Sequence, residues 1–406
     1  MEALQAYESD SSGEGAPPAP TIVENMQKRK RTTFAASDIV LPKPSSVAYQ
    51  SKRRARLHGD PPAPSTPPVA REEEPLFAAQ DDDDSAALLE SLGSTKCQVL
   101  GRWKTDGPVS CMRWNRDNPH LAATAGLHRS VQVWHAFRGT CLRTLVYHMD
   151  AVKDIQWTLD AHDLVSVGLD RRVLVTDAET NQVHTTFDAA DRLTKVAVHP
   201  TDPSLFLIGT DAAGIFCWDA RANRSIRSFH VPTLGTVHDI QFHRGAPRHQ
   251  FVASCTVLRT SAVDNGVLLW DFESGSIAAQ SIYTEGFSCT SMQFHPHEPI
   301  LYLQSQGNHI ALVSTSTWKR HRTFLSGHTV DAYPIQCSLN ATGSRLASGD
   351  ASGRLAVYDT LHHRSPLSLA KVHGGGACIA AAFHPRLESV VATGSWDADV
   401  ALCHVR

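Results

Sequence analysis

One strand ending recurs along this chain. It reads VQVWHA around Trp134, VLVTDA around Thr176, IFCWDA around Trp218 and VLLWDF around Trp270. It continues as IALVST around Val313, LAVYDT around Tyr358 and VALCHV around Cys403. The intervals are 42, 42, 52, 43, 45 and 45 residues. A fixed period in this range, closed by a Trp-Asp-like dipeptide, marks a ring of four-stranded blades. Seven occurrences predict an all-β, seven-bladed β-propeller over residues 97–406.

The unit is clearest in the second repeat. DAVKDIQW, ending at Trp157, alternates apolar and polar residues as a half-buried strand does. HDLVSVG is the next strand, LDRR the turn, VLVTD the third strand and QVHTTF the outer one. In the fourth repeat CTVLRTSAVDNG accounts for the longest interval, by lengthening the second strand or the turn after it. The seventh repeat runs out at Arg406, after its third strand. CQVLGRW at 97–103 is therefore expected to supply the missing outer strand and close the ring, removing two exposed edges.

Residues 1–95 read differently. They hold 11 of the 22 prolines, none of the eight tryptophans, and ten basic against fifteen acidic side chains, a net of −5. Such a segment buries too little apolar area to offset its ordering entropy, so a mostly disordered tail is expected. Within it, Ser11 with Glu14 suits an acid-directed kinase as well as a plain solvated tail. The clusters Lys28-Arg29-Lys30-Arg31 and Lys52-Arg53-Arg54 with Arg56 fit nuclear import, against solvated charge or loose RNA contact. DDDDSAALLESLG predicts a short helix at 82–92, with acids at its start and Gly93 at its stop. Residues 96–406 carry a net charge of only +2, so no basic excess argues for strong phosphate binding, and direct RNA contact stays open. No apolar run reaches the ~18 residues that span a bilayer, and the start has no secretory pattern. Nine scattered cysteines without a Cys-x-x-Cys pair read as buried reduced thiols of an intracellular protein.

Several residues resemble catalytic sets. Repeat two has His148, Ser166 and Asp170, with Thr176 in the Trp place. Repeat one has Thr124 and Trp134, with His128 in place of Asp. Repeat seven has Thr393 and Asp397, with His373 one residue out of step, and repeat four has Thr260, Asp264 and Trp270 without a matching His. Because the spacing repeats with the blade, these are read as structural hydrogen-bond sets; a catalytic triad would occur once, with an exposed nucleophile. The His-Pro pairs at 199, 295 and 384 recur at a turn position, so no metal is assigned to the 22 histidines. HGGGAC at 373–378 lacks the Lys-Ser/Thr of a phosphate loop. No catalytic residue, cofactor or small-molecule substrate is expected. Trp218-Asp219-Ala220-Arg221 resembles the Trp-Asp-x-Arg motif by which some propellers dock on a cullin–RING ligase adaptor; the alternative is that Trp218 packs between blades and Arg221 pairs locally.

Beyond the generic repeat, CLRTL at 141–145 followed by His148, LDRRVLVTDAETNQ, GHTVDAYPIQ at 327–336 and SGDASGRLAVYD at 348–359 are specific. With these, residues 97–406 resemble the WD40 family of pre-mRNA-processing factor 17, a splicing factor, and a vertebrate branch related to it. The resemblance implies a non-catalytic scaffold in a nuclear, spliceosome-related ribonucleoprotein assembly, with spliceosomal protein partners, no membrane, and a nuclear or additionally cytoplasmic location. The 96 residues before the repeats are short and proline-rich beside that family's N-terminal extension. Thr176, Val313 and Cys403 also depart from its Trp positions. The competing reading is a substrate receptor of a cullin–RING ubiquitin ligase.

Overall fold

In the computed structural model the described residues are 76–77 and 97–406, apart from 213, 244–248, 259–262 and 362–364. The helix expected at 82–92, Ser11 and both basic clusters lie outside them. The described residues form 28 strands and no helix. These make seven four-stranded sheets, each the blade that the period predicts.

Each blade is packed between two others, and its burial follows from that. The third strands Val131–His135 and Asp399–Val405 are buried at every residue, because both faces of the sheet meet a neighbour. Their continuous apolar runs are the pattern of strands covered on two sides. The outer strand Gln182–Asp188 alternates exposed and half-buried, since it lies at the rim. Cores form between blades. Val165 and Val175 of blade two join Val196, Phe206 and Trp218 of blade three in one cluster. Trp218 is fully buried there, 5.6 Å from the Phe206 ring and 5.9 Å from Phe187.

The innermost strands line the axis. They are Val109–Trp114, Val152–Trp157, Leu193–Val198, Leu234–Phe242, Cys289–Phe294, Cys337–Leu339 and Cys378–Phe383. All but that of blade six carry a register shift ending at one position, the third residue before the strand end. A bulge bends and over-twists a strand, and here it re-aims that residue. In blade four the extra length is shared by two strands, Phe251–Leu258 and Val263–Trp270.

Closure comes from the first strand. Cys97–Lys104, one residue longer than expected, runs antiparallel to Asp399–Val405, pairing Cys97 with Val405 and Lys104 with Asp399. Trp103 is buried against Trp134 of blade one, ring centres 5.9 Å apart, so the strand also braces the next blade. Gly139 sits beneath that indole at φ +64°, and a Cβ there would lie 3.3 Å from the ring. Truncating Trp103 to Ala should cost about 3 kcal/mol by the usual large-to-small cost in a core. Deleting 97–103 should lower the thermal midpoint further than Trp103→Ala; an unchanged midpoint in a thermal melt would refute closure by this strand.

Candidate functional site

The re-aimed position of the seven innermost strands holds Cys111, Asp154, Lys195, Asp239, Ser291, Gln336 and Ala380. Four charges meet around it. Arg113 reaches Asp154 at 2.9 Å and donates to Gln336 at 3.0 Å. Lys195 stands between Asp154, at 3.9 Å, and Asp239, at 3.7 Å. Asp239 also accepts from Met292 N of blade five at 2.6 Å. Two cations offset two anions, so the axis holds no net charge. Burial raises the Asp239 carboxyl, against the pull of Lys195. A buried ion pair adds little over an apolar substitute, but losing one partner leaves the others unpaired.

The hydrogen-bond sets sit further out. In blade two His148 Nδ1 meets Asp170 at 2.9 Å and Nε2 meets Ser166 at 2.8 Å. Burial opposes the Asp170 charge. The bonds from His148, Met149 N and Arg172 N outweigh it and hold that carboxyl below its usual value. In blade one Trp134 Nε1 donates to Thr124 Oγ1 at 2.9 Å, while both ring nitrogens of His128 are buried without a hydrogen-bond partner.

One set needs correction, and another lies partly outside the described residues. In blade seven His373 meets Thr393 at 2.9 Å but Asp399, not Asp397, at 3.2 Å. Asp397 accepts instead from the amides of Gly375, at 3.0 Å, and Gly376. The glycine run after His373 brings its amides to that carboxylate, and Asp399 also takes Arg102 of the closing strand at 3.3 Å. In blade four Thr260 and the side chain of Asp264 lie outside the described residues, and Trp270 stacks on Phe251 with its indole N–H unpaired. The polar group there is His238 to Thr256 at 3.0 Å, with Thr256 donating to Asn265 at 3.3 Å.

Sequence reasoning missed two networks. Between blades four and five Glu285, on the outer strand of blade four, accepts from Tyr283 and from Ser305 of blade five. Between blades five and six, Ser348 donates to Gln304 Oε1 at 3.0 Å, which turns the Gln304 amide nitrogen onto His328 Nε2, also at 3.0 Å. His328 Nδ1 is 2.6 Å from the Tyr358 hydroxyl. The unusual spacing of GHTVDAYPIQ was the available signal.

The His-Pro pairs are turn caps. His199 Nδ1 faces Asp202 N at 3.1 Å, His295 Nδ1 faces Glu298 N at 2.8 Å, and His384 Nδ1 faces Leu387 N at 2.8 Å. Asn115 Oδ1 does this work in blade one, accepting from Asn118 N at 2.8 Å. Among the described residues one group, Asp163, Asp177 and His184, brings three ligand atoms within 4.8 Å. It lies across one outer blade edge, with His184 exposed. Of the adaptor motif, Trp218 is core. Arg221 is exposed and paired with Asp219 at 3.3 Å and Asp202 at 3.4 Å.

The two faces of the disc differ. One, here the upper, carries the turns between second and third strands and the links from blade to blade. Of ten exposed large apolar side chains among the described residues, seven lie there: Leu127, Val146, Tyr147, Met149, Phe287, Tyr333 and Trp396. Tyr333 and Trp396 touch, ring centres 6.2 Å apart. Clustered exposed aromatics mark interaction surfaces, so the upper face is the candidate site.

A family model for the WD domain, G-beta repeat matches residues 96–135. The chain is similar to WD repeat-containing protein 25 of Mus musculus, 28% identical over 306 residues, which is 73% of this chain and 56% of that protein. It is similar to pre-mRNA-processing factor 17 of Saccharomyces cerevisiae, 24% identical over 277 residues, covering 67% of this chain and 59% of that one. The human protein of that name is 25% identical over 305 residues, 72% of this chain and 50% of that one. The chain thus spans between half and three fifths of the length of these relatives.

Two outcomes follow from the buried polar groups. Asp154→Ala should cost about 3–5 kcal/mol, because Arg113 and Lys195 lose their shared partner; a denaturant melt measures it. Burial pushes His384 down to about 4. Its Nδ1 accepts turn amides while Nε2 donates to Pro119 O at 3.0 Å, so only the neutral ring fits. Unfolded, the ring titrates near 6.5. Its contribution is therefore complete above pH 6.5 and is lost as pH falls toward 4. His384→Asn keeps a cap of the Asn115 kind. Between pH 7 and 5 it should lose about 2 kcal/mol less stability than the wild type, and equal slopes would count against the assignment.

Proposed function

We propose that this WD-repeat propeller is a non-catalytic protein-interaction scaffold in a nuclear, spliceosome-related ribonucleoprotein assembly. The similarity to pre-mRNA-processing factor 17 over about seven tenths of the chain carries the assignment. A ring of loops on a rigid disc holds several peptides without chemistry. The hydroxyls of Ser166 and Thr393 are buried, which supports their structural role over a nucleophilic one. Lys28–Arg31 and Lys52–Arg56 would supply nuclear import.

The upper face is where partner proteins would sit, anchored by Tyr333, Trp396 and Phe287. Aromatic anchors of this kind carry most of an interface's binding energy. The ubiquitin-ligase reading rests on Arg221, whose guanidinium is already shared between two local carboxylates.

The test is affinity purification of the tagged chain from nuclear extract, with a nuclease-treated arm. The wild type should recover spliceosomal proteins, and nuclease should reveal those bridged by RNA. The double variant Tyr333→Asp/Trp396→Asp should lose them with its thermal midpoint kept, and neutralising both basic clusters should lower the nuclear fraction. Recovery of a cullin adaptor instead, abolished by Arg221→Ala, would replace the scaffold assignment with the receptor one.

A further inference from the structure

Two residues of the segment expected to be a tail are described, and they are docked. Leu76 is 1% exposed. It belongs to a buried cluster built by blades one and two, with Leu121, Trp157, Leu164 and Ala178. His120 Nε2 bonds to its carbonyl at 3.1 Å. Phe77 meets the ring of His162 edge-on, centres 4.5 Å apart at 72°.

The two histidines make this gap unlike the others. They occupy the same register position in neighbouring blades, where their carbonyls accept from Ala136 and Ala178. Blades three, five, six and seven place Ser204, Pro299, Ser344 and Ser389 there. No other pair of adjacent blades offers two imidazoles at this position. One ring fixes a backbone carbonyl and the other receives an aromatic side chain, while the pocket between them takes an aliphatic one. That is recognition of an aliphatic–aromatic dipeptide in a stated orientation, by the same logic as other short-peptide grooves.

We propose that the gap between blades one and two on the lower face is a docking site for a short peptide carrying an adjacent aliphatic–aromatic pair of the type Leu-Phe. It is filled in cis by Leu76 and Phe77 of this chain. The occupant is a separable ligand: it belongs to no strand, and nineteen residues part Phe77 from the first strand at Cys97. A short tether presents such a segment at an effective concentration on the order of millimolar. A free peptide of the same chemistry would bind only where the cis segment has been removed.

The test uses the full chain and a fluorescent peptide copying residues 70–79. The double variant Leu76→Ser/Phe77→Ser should bind this peptide saturably in an anisotropy titration, the wild type at least roughly tenfold more weakly. Hydrogen exchange of amides near His120 and His162 should be faster in the variant and return toward wild type when peptide is saturating. Phe77→Ala alone should fall between the two in both readouts, which guards against a double variant that folds poorly. A peptide with Leu and Phe replaced by Ser should bind neither protein. Absence of binding to the variants, equal binding to wild type and variant, or exchange unchanged around both histidines would each overturn the proposal.

Discussion

Everything in this molecule depends on the pairing of its first strand with its last. A blade buries both faces against neighbours, so an open ring would expose the apolar faces of two blades at once. The ladder from Cys97 to Lys104 on Asp399–Val405 prevents this. It is reinforced where Asp399 gathers Arg102, Lys104 and His373, and where Trp103 crosses onto Trp134. Blade seven's polar set is thereby tied to closure: the carboxylate that orients His373 is also the one that holds the closing strand.

The axis meets a second constraint. Seven strands converge there, and six of them bulge at one position. The side chains so aimed are close together and away from water, so their charges must balance among themselves. Arg113 and Lys195 against Asp154 and Asp239 do so, linking blades one to four, with Met292 N and Gln336 extending the network to five and six. Separating any two of blades one to five would leave part of this set unpaired. Two histidines serve only while uncharged: His384 caps a turn, and His328 accepts from the Gln304 amide while facing the Tyr358 hydroxyl.

Much of the arrangement was legible because blades repeat. The period of the strand endings places every third strand, and the short seventh unit points to a closing partner. His148, Ser166 and Asp170 are found together because nothing is inserted between them. Where length varies, counting fails. The glycines after His373 redirect Asp397 and leave Asp399 as the partner. In blade four the sequence offered no histidine partner, yet His238 meets Thr256, which donates to Asn265. Blades four, five and six use Tyr283, Gln304 and Tyr358, residue types that carry no repeat signature. The docked pair Leu76–Phe77 was hidden by composition, since two apolar residues do not lift a proline-rich segment out of its average.

The sequence by itself determined the number of blades, their order and the residues of each third strand, because periodicity is a local property that burial on two sides imposes directly. Only the tertiary structure decided which carboxylate serves each histidine, which charges share the axis, which face gathers the exposed aromatics and where Leu76 is held. Those depend on distances between residues far apart in the chain, set by bulges, insertions and the closing of the ring. No period records them.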